Sequence, residues 1–173
     1  MDASAISQII FLIILLIFSA FFSSAETALT TVNKIRMRTL ADDGNKRAER
    51  VLRITDDSHK MLSAILIGNN IVNLSASSLA TTLAIKLWGS VGAGIATGIL
   101  TFLILVFGEI SPKTFATLYA DQISIAYSGI IGFLMKILTP VIFLVNQFSM
   151  GFLFLLHMDP KANNIQMTEE ELR

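Results

Sequence analysis

The side chains in this sequence with chemistry to offer carry oxygen, and they recur at helical spacing inside stretches that are otherwise apolar. Ser19 and Ser23 are four residues apart, and Glu26 follows three further on. At 100° per residue these three fall at relative angles of about 0°, 40° and −20°, on one face of a helix. Asn69 and Asn73 repeat the four-residue spacing within Ile67-Gly68-Asn69-Asn70-Ile71-Val72-Asn73, and Ser77 extends the stripe. A third cluster, Phe107-Gly108-Glu109-Ile110-Ser111-Pro112-Lys113, holds one carboxylate between Gly108 and Pro112. Pro112 removes a helical hydrogen bond to Gly108. A break there would expose carbonyl oxygens beside Glu109, an arrangement that membrane transporters use for cations.

Hydroxyl, amide and carboxylate oxygens are hard ligands, suited to Mg²⁺, Ca²⁺ or Na⁺ rather than to zinc or copper. The chain has no cysteine, and its two histidines, His59 and His157, are far apart. Disulfides, thiolate sites and a cysteine nucleophile are thereby excluded. No motif sets a metal-ligating histidine beside Glu26 or Glu109, so an intramembrane hydrolase is not expected and the chain reads as no enzyme. Each cluster also has an ordinary structural alternative. The serines can bond back to their own helix, and the asparagines can bridge two helices. The third helix can simply end, leaving Glu109 and Lys113 as an exposed i, i+4 pair.

The elements that must position these residues follow from where charge is missing. Hydrophobic residues make up 53% of the 173-residue chain and charged residues 15%, against roughly 25% charged in typical globular proteins. Thirteen basic and thirteen acidic residues cancel, so no global field attracts nucleic acid. No charge interrupts Ala3 to Ala25, Met61 to Ile85 or Leu87 to Gly108. A spanning helix needs about 20 such residues. We therefore expect an all-α integral membrane protein whose solvent is the lipid bilayer, with spans at about residues 5–28, 61–85 and 90–111. Ile9 to Phe18 is short enough for a secretory signal. Only Asp2 precedes it and no cleavage site follows, so it reads as the first span.

Eight of the thirteen basic residues lie between Asn33 and Lys60. Basic-residue bias sets orientation, so this segment should be cytoplasmic and the N-terminus outside. It reads as a helical hairpin over about residues 33–57, turning at Gly44-Asn45, with Ile35, Leu40, Val51, Leu52 and Ile54 available to pack inward. Lys86 to Ser90 makes the outer hairpin, with Trp88 at interface depth. Gly92, Gly94 and Gly98 are spaced for close helix packing or a dimer seam. Residues 121–157, interrupted by Lys136 and Pro140, read as interfacial helices that do not fully cross, although a fourth span is the alternative. The polar tail, residues 159–173, reaches a capping-box pattern from Thr168 to Glu171, and is expected to be a linker to a further domain.

Taken together, the Ser-x-x-x-Ser of the first span, the Ile-Gly-Asn-Asn-x-x-Asn of the second and the Gly-Glu-Ile-Ser-Pro-Lys closing the third resemble the transmembrane domain of the CorC/cyclin-M magnesium transporters. The likeness covers essentially the whole chain, residues 1–158 as the membrane domain. It implies a homodimer with three spans per protomer and juxtamembrane helices at the cytoplasmic side of the plasma (inner) membrane. A cytoplasmic pair of CBS modules, absent here, normally follows and binds ATP with Mg²⁺. The implied activity is Mg²⁺ export coupled to Na⁺ entry, and the alternative is a Mg²⁺ sensor or scaffold that binds without transporting. By motif position the implied ion ligands are Ser19, Ser23, Asn69, Asn73 and Glu109. Gly68, Gly108 and Pro112 would set backbone geometry, while Glu26 and Asn70 would line a path.

Overall fold

The computed structural model describes residues 3–155. The capping-box pattern at Thr168 to Glu171, like His157, lies outside them. Among the described residues there is no strand, and three helices are long and apolar enough to cross a membrane. This is an all-α membrane domain. The chain divides into two compact units, Met1–Lys136 and Ile137–Arg173.

In the first unit, α1 spans Ala3–Thr31. A short hairpin follows, α2 (Lys34–Asp42) and α3 (Lys46–Asp56). The continuous helical stretch from Ser58 is interrupted at Gly89, where φ is +73°. That value favours glycine, since a Cβ there is strained. The interruption divides α4 (Ser58–Gly89) from α5 (Gly92–Leu118). The expected five-residue outer hairpin is thus reduced to a turn at a single glycine. Helix α6 (Ala120–Ile137) follows. The second unit contributes α7 (Thr139–Leu155), an apolar helix with Pro140 in its first turn, where a missing N–H costs nothing.

Contacts along α1 fix the directions of the bundle. Lys86 donates to Ser4 Oγ at 2.7 Å, while Gly68 packs on Phe22, so α4 runs antiparallel to α1. Gly108 packs on Ser19 and Lys113 pairs with Glu26, so α5 runs parallel to α1. The seam is built from small side chains, Ala25, Ala28, Ala64, Ala76 and Ala84, all buried. In lipid such residues let backbones approach closely, because the apolar driving force of water is missing. Ile10, Phe11, Ile17, Leu66, Leu74 and Phe102 are exposed, as a lipid-facing surface requires.

The hairpin and α6 pack at the end of the bundle where α1 finishes. Gly44 takes φ +89°, and the Asn45 side chain caps α3 by accepting from the Arg47 and Ala48 N–H groups. Val51 and Ile54 are buried, but Ile35 is 77% exposed, contrary to expectation. On the short helix α2 the inward position belongs to Met37, two residues further and so on the opposite face. Ala28, Ala116 and Ile123 join α1, α5 and α6 in one cluster beside Tyr127, whose ring lies 4.5 Å from that of Phe21. Asp121 accepts from the Asn33 N–H at 3.1 Å and from Arg36 at 3.2 Å. Gly94 and Gly98 are exposed, with open space where a Cβ would stand. They make no close helix packing within the first unit.

Candidate ion site

The first oxygen cluster sits on the buried face of α1. Ser19 and Ser23 are both buried, and neither Oγ has a hydrogen-bond partner among the described residues. Back-bonding to the helix, the ordinary alternative, is therefore not what they do. Ser24, the next residue round the helix, does bond back, donating to the Phe21 carbonyl at 3.0 Å.

On α4 the same pattern recurs. Asn69 Oδ1 and Asn73 Oδ1 are buried without a donor among the described residues, so they do not serve as interhelical bridges through oxygen. Asn70, which the spacing left ambiguous, is exposed on the helix surface. Gly68 is what brings this part of α4 against α1. A Cβ there would stand 2.5 Å from the Phe22 ring, well inside van der Waals contact.

The third cluster departs from its expected form. Helix α5 does not break at Pro112; it continues to Leu118 through a wide π-helical segment, Ile104–Ile110. Ser111 closes that segment by donating its N–H to the Val106 carbonyl, five residues back. Pro112, with no N–H, then opens the following α-helical turn at a position that tolerates it. π-Helical turns inside α-helices are frequent at functional sites, and the extra residue per turn displaces side chains and carbonyls from their regular positions. Gly108, inside this segment, is buried against α1, with its virtual Cβ 2.9 Å from Ser19 Oγ. Glu109 is half-buried and has no ion-pair partner among the described residues.

Lys113 does not pair with Glu109. Its Nζ lies 3.2 Å from Glu26 Oε2, joining the last turns of α1 to α5. No sequence rule flags this pair, because its two members are 87 residues apart and no helical period relates them. Two further buried oxygens also lack partners, Gln8 Oε1 and Ser124 Oγ. Ser124 belongs to a small-residue stripe on α6, Ser124, Ser128 and Gly132 at four-residue intervals, which the sequence reading did not single out.

The structure thus brings Ser19 against Gly108 and sets Gly68, neighbour of Asn69, on Phe22, neighbour of Ser23. Four buried neutral oxygens face the seam unsatisfied. Leaving a polar atom buried and unpaired costs about 1 to 3 kcal/mol each. Such atoms can act as ligands for a hard cation, since none must first release a protein donor.

Residues 10–173 match the family described as the cyclin M transmembrane N-terminal domain. A UPF0053 protein of Haemophilus influenzae is 41% identical over 174 residues, covering 100% of this chain and 41% of that protein. The UPF0053 inner membrane protein YfjD of Escherichia coli is 41% identical over 128 residues, 74% of this chain and 30% of the relative. A chloroplastic DUF21 domain-containing protein of Arabidopsis thaliana is 36% identical over 96% of this chain and 25% of its own length. The chain spans about two fifths or less of these relatives. With the match running from the first span to the last residue, the chain belongs to the cyclin M transmembrane domain family.

Proposed function

We propose that this chain is the ion-handling membrane domain of a secondary transporter that exports Mg²⁺, coupled to Na⁺ entry. The observation that carries the reading is the set of four buried, partnerless oxygens, Ser19 Oγ, Ser23 Oγ, Asn69 Oδ1 and Asn73 Oδ1. Gathered around one cation they would be satisfied together, with Glu109 compensating its charge. Lys113 already neutralises Glu26, which favours Glu109 over Glu26 for that role and leaves Glu26 at the approach. Mg²⁺ prefers six oxygens at about 2.0 to 2.1 Å and dehydrates reluctantly. Neutral ligands keep the site weak enough to release its ion.

Export needs a driving ion. Moving two charges outward against 100 mV costs about 4.6 kcal/mol, twice the single-charge value. In this reading the protein is a homodimer of the plasma (inner) membrane and not an enzyme. The hairpin is cytoplasmic, the N-terminus is outside, and ATP-binding CBS modules follow in the full-length protein. The eight basic residues between Asn33 and Lys60 support the orientation.

Calorimetry with Mg²⁺ on the purified chain tests the site. Glu109→Gln keeps shape and removes charge, so it should weaken binding by about 10- to 150-fold, the worth of a charge-assisted contact. Equal binding by parent and Glu109→Gln, with loss in Glu26→Gln, would move the charge to the other carboxylate. Flux from loaded liposomes then separates transport from sensing: binding without net flux is the behaviour of a sensor or scaffold.

A further inference from the structure

Away from the oxygen seam, where the hairpin meets α6, lies a pocket of about 510 Å³. Its rim carries four cations, Arg50, Arg53, Lys60 and Lys136, against one carboxylate, Asp57. Asp57 is already engaged as the cap of α4, accepting from the Lys60 N–H at 3.1 Å. Arg53 pairs with Glu49 at 2.8 Å, an exposed i, i+4 contact that solvent screens. Arg50, Lys60 and Lys136 have no carboxylate partner among the described residues.

Two glycines of α6 give the pocket its depth. A Cβ at Gly129 would stand 3.1 Å from Arg50 Nη1, and one at Gly132 would stand 3.4 Å from Ile54. With hydrogen in place of a side chain, the guanidinium of Arg50 lies along α6. An adjoining pocket of about 420 Å³ shares Arg50, Gly129 and Phe133 and adds Arg47 and Ile130. The two therefore form one basic groove with apolar ground. Ile130 and Phe133 beside it are 53% and 63% exposed.

Depth decides what such a groove meets. Lys60 lies in the first turn of α4, a helix long and apolar enough to span a bilayer. The groove therefore sits where headgroups lie, with α6 carrying exposed apolar side chains next to free cations. We propose that this groove binds an anionic phospholipid, its phosphate among Arg50, Lys60 and Lys136 and its acyl chains along Ile130 and Phe133. Basic pockets between membrane helices suit such headgroups because charge and apolar surface are matched at once. An acidic peptide would use the charge but leave the apolar ground uncovered.

The test uses the full 173-residue chain in detergent with equal phosphatidylglycerol and phosphatidylcholine, and intact-protein mass spectrometry counts the retained lipid. Phosphatidylglycerol should be retained in preference to phosphatidylcholine. Each basic residue near an anionic surface is worth about fivefold in binding. Arg50→Gln with Lys136→Gln should therefore lower retention roughly 25-fold. Lys34→Gln with Arg38→Gln, removing the same charge from α2, should leave it within about twofold. Should the double variant fail to fold, Lys60→Gln alone should lower retention about fivefold. Equal retention of both lipids, or an equal loss in the α2 control, would overturn the proposal. So would displacement by excess inorganic phosphate, which marks a free-anion site. A large gain on changing Glu169, Glu170 and Glu171 together to Gln would also overturn it, because the acidic tail would then be the occupant.

Discussion

In the hairpin, buried or capping polar atoms have partners close at hand. Asn33 Oδ1 accepts from the Arg36 N–H, Asn45 Oδ1 from two N–H groups, and buried Thr55 Oγ1 donates to the Val51 carbonyl. In the seam between α1, α4 and α5 the opposite holds: Ser19, Ser23, Asn69 and Asn73 keep buried oxygens without partners. Both regions use amide and hydroxyl side chains. In the hairpin they fix helix ends, each adding a little stability. In the seam they cost stability, a cost that the proposed ion would repay. In the proposed reading, the polar residues that serve as structure and those that serve the ion differ in whether their partners are already present.

That contrast can be broken at its packing first. Gly68→Ala puts a methyl 2.5 Å from a Phe22 ring that is itself buried and edge-on to Phe21 at 5.3 Å. The ring has nowhere to turn, so thermal unfolding in detergent should register a loss of about 1 to 3 kcal/mol. Gly94→Ala, into open space, should lose nothing within the protomer and serves as the control. A normal melting temperature for Gly68→Ala would mean that α1 and α4 are not so close.

Next in size is the hairpin. Asn45→Ala removes the cap of α3 and should lower stability by about 1 kcal/mol, with no change in Mg²⁺ affinity. A parallel fall in affinity would tie the hairpin to the ion site and erase the separation of the two regions.

The smallest stability effect is the sharpest discriminator. Exchanging a buried, unsatisfied hydroxymethyl group for a methyl, which needs no partner, should be neutral or slightly favourable. Ser19→Ala and Ser23→Ala, melted without Mg²⁺, should therefore stay within about 0.5 kcal/mol of the parent or gain. Calorimetry should show each weakening Mg²⁺ about fivefold, the worth of one neutral contact. A clear loss of stability without the ion would indicate that these oxygens are structural after all.

Much was already legible in the residues. Charge-free runs longer than a bilayer needs define membrane helices whatever surrounds them, because an uncompensated charge or open backbone is too costly in lipid. Gly44-Asn45 reads as a turn because a positive φ and a side-chain cap are local requirements. The four-residue spacing of Ser19 and Ser23, and of Asn69 and Asn73, puts each pair on one face for the same local reason. The tertiary structure alone decided that Asn69 and Asn73 are the inward pair and Asn70 the outward one. It also decided that Lys113 turns to Glu26 and that α5 widens at Gly108 instead of breaking at Pro112. Helical periodicity relates residues within one turn or two, whereas these outcomes depend on which neighbour fills the space across a seam. That choice is settled by packing between segments tens of residues apart, where no local period reaches.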